Sequence, residues 1–310
     1  MYRDMRVAVV VPAHNEERLI GKVITTMPSI VDHIVIIDDA SPDGTSDAVR
    51  AVHDPRVELI TLRENQGVGG AILTGHTRAL DLGADVVAIM AGDAQMDPDF
   101  LPALLDPIAD GEAQFTKANR FYGPGSFKGM PRHRIFGNVV LSFLTKAASG
   151  YWNLFDPQNG YTAIHRRALE RLPFERIARR YEFENDILIQ LNILRVPARD
   201  VPIPAIYGEE VSGMKLSKVA PRILRQLWRG FWHRMWWKYV LQSFSPVALM
   251  FFSGLAAILF GLAVGVFVVV NTLGPPVASP GTVVLSVVPF FTGVHLLIMS
   301  LYLDIQEGSR

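Results

Sequence analysis

The groups that could do chemistry in this 310-residue chain cluster in four short polar stretches, each set behind an apolar run. Pro12, His14 and Glu16 follow residues 6–11, Asp39 follows 33–37, Asn65 and Gly67 follow 57–61, and Asp93 and Gln95 follow 85–89. The runs are short and rich in β-branched residues, as buried parallel strands are. Loops that leave the carboxyl ends of such strands converge at one edge of the sheet, where open α/β folds bind ligands. A carboxylate and an amide placed there, Asp93 and Gln95, could hold a divalent cation against a diphosphate, because hard cations take oxygen ligands. A carboxylate at the end of the second strand, Asp39, could bind ribose hydroxyls or a base edge. Plainer readings stand beside these: Asp38-Asp39 as a helix-capping turn, and residues 90–98, M-A-G-D-A-Q-M-D-P, as an acidic loop ahead of a helix that begins at Pro98.

The elements that must position these groups follow from the spacing. Helical segments separate the four apolar runs, so βαβ units around a mostly parallel sheet are expected. His14 or Asn15 is expected to cap the helix that carries Glu16, Leu19, Ile20 and Val23. Further helices are expected over 45–52 and 71–82. Residues 115–119 read as a fifth strand ending at Arg120, and 121–131, with three Gly and two Pro, as a mobile loop. Helical periodicity returns over 135–148 and 182–194, strand character over 161–165, and an edge strand over 199–203 beside Pro202 and Pro204.

Several classes are excluded. There is no cysteine, hence no disulfide, thiolate zinc site or cysteine nucleophile. No Gly-x-Gly-x-x-Gly follows the first strand and no Gly-x-x-x-x-Gly-Lys occurs, so Rossmann dinucleotide and P-loop readings fail. Lys+Arg equals Asp+Glu, so net charge points to no partner, and no nucleic-acid partner is expected. The distribution of charge is more telling. Residues 215–238 carry only positive charges, and 239–303 carry no Asp, Glu, Lys or Arg. Lys218, Arg222, Arg225 and Arg229 recur at helical spacing, with Trp228, Trp232 and Trp236 on a neighbouring stripe. Such a helix suits a membrane interface, although a solvated basic face packed through its tryptophans has the same pattern. Residues 247–270 and 283–303 are each long enough to cross a bilayer core, which needs about 20 apolar residues. The intervening 271–282 has no Lys or Arg. By the positive-inside rule, both the chemistry-bearing part and the C-terminus are expected in the cytoplasm. The first residues lack the apolar segment of a signal peptide, in keeping with that orientation.

The motifs V-V-P-A-H-N-E-E, I-I-D-D-A-S-P-D-G-T, N-Q-G-V-G-G-A and G-D-A-Q-M-D-P, in this order, resemble family 2 glycosyltransferases of the GT-A fold. T-K-A-N-R-F, M-P-R-H-R-I-F-G-N, F-D-P-Q-N-G-Y and Y-E-F-E-N-D extend the resemblance to the branch that charges a polyprenyl phosphate, the dolichol-phosphate mannose synthases and bacterial undecaprenyl-phosphate glycosyltransferases. The resemblance runs from Val7 to about Lys218, and the two-helix tail agrees with bacterial members. It implies that Pro12, His14, Glu16 and Asp39 hold the nucleoside, with His14 where the family often has tyrosine. Asp93 would bind Mg2+ or Mn2+ on the sugar-nucleotide diphosphate, with Gln95 close to it. Arg120, Arg134 and Asn138 match positions that hold the lipid phosphate and the donor. One departure matters: the usual pattern is Asp-x-Asp-x-Gln, and here Ala91 replaces the first Asp.

The implied organisation is a GT-A (Rossmann-like) α/β catalytic domain over residues 1–214, a basic, aromatic interfacial region over 215–240 and a two-helix transmembrane anchor over 241–310. The implied reaction is inverting transfer of one sugar from a GDP- or UDP-linked donor to polyprenyl phosphate at the inner face of the cytoplasmic membrane. A phosphate monoester is already ionised at neutral pH, so cations must position it and no strong base is required. The planar fork of arginine does this well, which suits Arg120 and Arg134 beside a glycine-rich loop; either could instead make a surface salt bridge. Asp156 could orient the acceptor, act as a base or form an Asx turn. Lys215 could close over the phosphates or simply start the interfacial helix, and Glu184 and Asp186 read as a helix N-terminal turn. Two rivals remain open. A processive polysaccharide synthase would show Gln-x-x-Arg-Trp, whereas Gln226-Leu-Trp-Arg229 is followed by Gly230. A non-catalytic nucleotide-sugar-binding membrane protein would account for the missing carboxylate. The anchor would also pack readily against copies of itself as a homo-oligomer.

Overall fold

The computed structural model describes residues 1–122, 132–204, 216–272 and 278–308, with the backbone alone at 132–134, 216–220 and 272. Most of the loop expected over 121–131, the side chain of Arg134 and all of Lys215 lie outside the described residues. The strands are β1 (Val7–Ala13), β2 (His33–Asp38), β3 (Val57–Thr61), β4 (Val86–Ile89), β5 (Phe115–Asn119), β6 (Thr162–His165) and β7 (Ala198–Pro202). The helices are α1 (Ile20–Thr25), α2 (Thr45–Ala51), α3 (Val68–Asp81), α4 (Leu101–Ala109), α5 (Arg132–Ser149), α6 (Arg166–Leu169), α7 (Phe183–Ile193), α8 (Leu216–Trp236), α9 (Pro246–Thr272) and α10 (Pro280–Gly308). The chain divides into two compact units, Met1–Phe231 and Trp232–Arg310.

In the first unit seven strands form one sheet in the order β3-β2-β1-β4-β6-β5-β7. All pairs are parallel except those of β6, which runs antiparallel to both β4 and β5. β2 and β3 lie on one side of β1 and β4 on the other, so β1 and β4 flank a topological switch point, where a crevice opens beyond the carboxyl ends. Because only β6 is reversed, Asn119 at the end of β5 and Tyr161 at the start of β6 reach that same edge. Alternation along β1 fixes the two faces. Val7, Val9 and Val11 pack with α1 and α4, while Ala8 and Val10 pack with α3 and α7. The first turns of α8 add Ile223 and Leu227 to Ala148, Ile189 and Ile193.

One expectation at the site edge is corrected. The first helix starts at Ile20, and neither His14 nor Asn15 caps it. Asn15 has a left-handed backbone (φ +63), and its N–H donates to Ser41 Oγ (3.1 Å), while that of Glu16 donates to Thr45 Oγ1 (2.9 Å). The polar backbone after β1 is therefore committed to the loop after β2, and a helix cannot begin until those bonds are made. The expected helix start at Pro98 is present: Asp97 caps a 3-10 turn over Pro98–Phe100 through Asp99 N (2.9 Å), which runs into α4.

The second unit is a helical hairpin. α9 and α10 contain spans of 26 and 29 residues that are long and apolar enough to cross a membrane. They meet where Gly254 faces Gly293; a Cβ on either would fall within 2.9 Å of the other's carbonyl oxygen. Trp232 and Trp236 stack edge-on against Phe251 and Phe252. Two cations of the basic segment are not solvated. Arg234 is fully buried and donates to both oxygens of Asp304 (2.6 and 3.1 Å), which also accepts from Tyr239, and Lys238 is buried 3.5 Å from Glu307. By contrast Arg222, Arg225 and Arg229, in the first unit, are exposed, as is Trp228.

Candidate active site

At the switch point the four loops enclose a cavity of about 350 Å³ lined by Pro12, His14 and Glu16, by Asp39, by Asn65 and Gly67, and by Ala91, Gly92 and Asp93. The structure thus brings together every donor-side residue singled out from the sequence except Gln95. Three of the non-glycine residues with positive φ sit in these loops: Asn15 (+63), Ala40 (+53) and Ala94 (+56). Non-glycine residues hold that conformation at a cost of about 1–3 kcal/mol each, and they persist where surrounding bonds over-determine the backbone.

Asp39 ties the loops together. Its two carboxylate oxygens accept from Gln66 N (2.7 Å) and Gly67 N (2.8 Å), and its carbonyl oxygen lies 2.9 Å from His14 Nδ1 and 3.3 Å from Asn65 Nδ2. The contact to a carbonyl requires the proton on Nδ1 of His14, which leaves Nε2 as an acceptor in the neutral ring. Asp38 serves the turn alone, accepting from Ser41 N (2.9 Å) and the Ser46 hydroxyl. The capping-turn reading therefore fits Asp38, whereas Asp39 lines the cavity with both carboxylate oxygens already met by backbone amides.

Asp93 lies on the wall between this cavity and a second one of about 130 Å³, which is lined by Gln95, Asp97, Arg120, Asn159 and Tyr161 among others. Burial pushes the Asp93 carboxyl above its ordinary value, against the opposing hydrogen bond from Gln95 N (3.0 Å). A half-desolvated carboxylate at a cavity wall is relieved by a cation. No group of three His, Asp or Glu positioned for a metal occurs among the described residues. The donor set therefore fits Mg2+ or Mn2+ carried largely by diphosphate oxygens and water, a mode in which one or two carboxylates suffice. It does not fit a metal held by protein ligands alone.

The second cavity is built on a buried polar layer. Arg120 donates through Nε (2.7 Å) and Nη2 (3.0 Å) to the two oxygens of Asp156, which also accepts from Arg120 N (3.2 Å). Asp156 is fully buried and Arg120 is half-exposed. Asp156 thus orients an arginine, and it is not itself among the residues that line the second cavity. Asp200 Oδ2 accepts from Asn119 Nδ2 (3.0 Å) and Phe155 N (2.6 Å), which clamps the strand end before Arg120 to the turn that carries Asp156. Burial raises the Asp200 carboxyl to about 6, with Asp156 adding to the shift. Lys117 is fully buried against the Asn159 carbonyl and Glu184 (2.9 Å), and Asp186 accepts from Ala178 N (2.8 Å). Glu184 and Asp186 therefore do more than decorate a helix N-terminus. Asn138 is half-buried on α5, and Arg134 sits on its first turn by backbone position.

The donor cavity has a further wall that the sequence reading missed, Arg180 and Tyr181 from the turn ahead of α7. The signal was present in N-Q-G-V-G-G, where three glycines lie in four residues without the spacing of a phosphate loop. A Cβ on Gly69 would meet Ala178 O and Phe183 Cβ at 2.7 Å, and one on Gly67 (φ +84) would meet Arg179 O at 2.8 Å. The glycines exist so that another stretch of backbone can lie against them.

Such a sheet, with a crevice at its switch point and one acidic wall, is the architecture of the GT-A class of folds. The model of glycosyl transferase family 2 matches residues 8–173, and the chain belongs to that family. It is 32% identical over 221 residues to the UDP-N-acetylglucosamine–dolichyl-phosphate N-acetylglucosaminyltransferase of Methanococcus voltae, covering 66% of this chain and 88% of that one. It is 30% identical over 221 residues to the undecaprenyl-phosphate mannosyltransferase of Micrococcus luteus, covering 69% and 88%. Among solved structures, glucosyl-3-phosphoglycerate synthase from Mycobacterium tuberculosis, in complex with Mn2+, UDP-glucose and phosphoglyceric acid, shares the fold. Its TM-score is 0.58 at 22% identity, over 74% of this chain and 80% of that one. The protein is a glycosyltransferase.

Proposed function

We propose that this enzyme transfers one sugar, with inversion, from a nucleoside-diphosphate sugar to a polyprenyl phosphate at the cytoplasmic face of a membrane. The observation that carries the reading is Asp93 on the wall shared by the two cavities, with the nucleoside-sized crevice on one side and Arg120 on the other. His14, Asp39, Asn65 and Gly67 hold the nucleoside, and Asp93, assisted by Gln95, faces the diphosphate. Arg120, held by Asp156, receives the acceptor phosphate, together with Arg134 and Asn138 as the family resemblance implies, and Lys215 closes over the phosphates. A phosphate oxygen of the acceptor forms the new bond to the anomeric carbon from the face opposite the leaving group. The bond from that carbon to the diphosphate breaks, and the electron pair leaves on the nucleoside diphosphate. The acceptor needs no base; it needs its charge oriented and desolvated, which a planar guanidinium fixed by a buried carboxylate does. A divalent cation bound at Asp93 would neutralise charge developing on the diphosphate.

The acceptor class draws on the relatives named for dolichyl- and undecaprenyl-phosphate transfer and on features of this chain. Phe136, Val139, Val140 and Phe143 form an exposed apolar stripe along α5 at helical spacing, and α8 exposes Trp228 beside Arg222, Arg225 and Arg229. These suit a headgroup layer, and the cation-free stretch between the spans supports a cytoplasmic catalytic unit. The test is a donor screen with radiolabelled UDP- and GDP-sugars, polyprenyl phosphate and the full-length protein in membranes. A chloroform-soluble monosaccharyl lipid is expected, at least about 100-fold reduced in Asp93→Ala. A polymeric product, or full activity in Asp93→Ala, would refute the reading.

A further inference from the structure

We infer that Arg180 and Tyr181 form a donor clamp, in which the guanidinium pairs with the diphosphate of the sugar nucleotide and the phenol ring covers its nucleoside. The inference rests on the proposed function for the identity of the donor, and three independent observations carry it.

The first is that the turn bearing these side chains is built into the site. Gly70 N donates to Arg179 O (2.9 Å), and Arg179 Nη1 donates to Gln66 Oε1 (2.7 Å). Ala178 N is held by Asp186 Oδ2 (2.8 Å), and Phe183 N by Arg180 O (3.0 Å). Phe183 is buried in the core beneath the turn. Side chains on a turn anchored at both ends need little further ordering on binding, which is the condition for efficient capture of a ligand.

The second is charge. The side chains lining the donor cavity include three carboxylates, Glu16, Asp39 and Asp93, and one permanent cation, Arg180. Two backbone amides already meet the carboxylate of Asp39. A nucleoside diphosphate adds further negative charge to this cavity, and with Ala91 in place of a carboxylate one Asp remains to recruit a metal. Arg180 supplies a fixed positive charge whose planar fork matches phosphate oxygens, and it is exposed at the cavity.

The third is the exposure of Tyr181. The residue is 53% exposed and lines the cavity, which the other exposed tyrosines, Tyr122 and Tyr302, do not. A large aromatic left open on a fixed turn beside a polar cavity offers a stacking face for a base, with Val68 and Ala71 contributing apolar lining.

The experiment measures binding of UDP, GDP, uridine and guanosine to the full-length protein in lipid nanodiscs by calorimetry. Turnover is followed in parallel with varied polyprenyl phosphate. In Arg180→Ala, affinity for the preferred nucleoside diphosphate is expected to fall about 10- to 100-fold, the worth of a charge-assisted hydrogen bond or two, while the matching nucleoside binds as in the wild type. Arg180→Lys, which keeps the charge without the fork, recovers part of the loss. In Tyr181→Ala both nucleoside and diphosphate weaken by about 10-fold, and Tyr181→Phe restores them. Both side chains are exposed, so the melting temperatures of all four variants should match the wild type. Wild-type affinities in Arg180→Ala and Tyr181→Ala would overturn the clamp, as would an effect confined to the KM for polyprenyl phosphate; in either case wild-type turnover that depends on Asp93 leaves the proposed function standing. A wild-type protein that binds neither UDP nor GDP overturns both.

Discussion

Replacing Asp156 by Asn separates a positioning carboxylate from a catalytic base. Asp156 holds Arg120 through two side-chain bonds, at 2.7 and 3.0 Å, and caps its backbone N–H at 3.2 Å. Asn keeps one carbonyl acceptor, turns an NH2 group against a guanidinium that can only donate, and removes the charge. A charge-assisted hydrogen bond is worth about 1.5–3 kcal/mol, and the half-exposed Arg120 is partly screened by water, so a stability loss of about 2 kcal/mol is expected. The catalytic effect follows from displacement of the guanidinium, since a misplacement of about 1 Å can cost about 100-fold. The loss should appear mainly as a raised KM for polyprenyl phosphate, with donor affinity unchanged and the shape of the pH profile retained. Steady-state kinetics with both substrates varied from about pH 5.5 to 9, read beside thermal melts, measure each part. A general base would behave otherwise: kcat would fall by about 10²- to 10⁴-fold at unchanged acceptor KM, and the acidic limb of the profile would vanish. That result would refute the assignment of Asp156 as the holder of Arg120.

Two further perturbations test what holds the scaffold. His76 is fully buried on α3 with neither ring nitrogen hydrogen-bonded among the described residues, and burial pushes it down to about 3. The neutral ring is the folded form, so its contribution is present above the unfolded value near 6.5 and is lost as pH falls towards 3. The loss is about 1.4 kcal/mol per unit, or about 3 kcal/mol by pH 4.5. His76→Leu should flatten the acid side of a melting-temperature profile, and an unchanged profile would rule the ring out as its cause. In the hairpin, Asp304→Ala leaves the buried Arg234 without its carboxylate, with the Tyr239 hydroxyl still 3.3 Å away, and should cost about 3–5 kcal/mol, whereas Arg234→Met with Asp304→Leu should recover most of it. A double variant no more stable than the single one in detergent melts would show that the pair itself, and not a buried charge left without a carboxylate, sets the cost.

What was legible in the sequence and what was not divides along a physical line. The residues that end β1, β2, β3 and β4 could be placed because a buried strand announces itself by an apolar β-branched run, and the fold rule then puts its last polar neighbour at the ligand edge. Asp93 and Asp39 are local in this sense, as are the two long apolar helices. Arg180 and Asp156 are not. Arg180 reaches the donor cavity on a turn held by a hydrogen bond between positions 66 and 179, and the partner of Asp156 is 36 residues away, on the other side of α5 in the chain. No periodicity encodes such pairings. Asp304 is of the same kind: it lies 70 residues from Arg234, and no spacing in the sequence pairs the two. The misread cap at Asn15 has a related cause, because a polar residue after a strand can serve its own helix or a neighbouring loop, and the choice depends on Ser41 and Thr45 being there.

The glycines of N-Q-G-V-G-G are the case between. Their clustering states that something passes close, but it does not say what. In a phosphate loop the passing object is the ligand, and the spacing places its backbone amides around an anion. Here one of those amides, Gly67 N, is taken by Asp39 and another, Gly70 N, by Arg179 O, so the loop has little left to offer a phosphate. The passing object is the protein's own chain, and the anion-binding task moves from backbone amides to a side chain, Arg180, carried on the segment that the glycines admit. The same substitution of roles accounts for Ala91. A site that draws positive charge from a fixed guanidinium has less need of a second carboxylate to recruit it from a metal, so the gap in the acidic motif and the glycine seat for Arg180 belong to one solution of the same electrostatic problem.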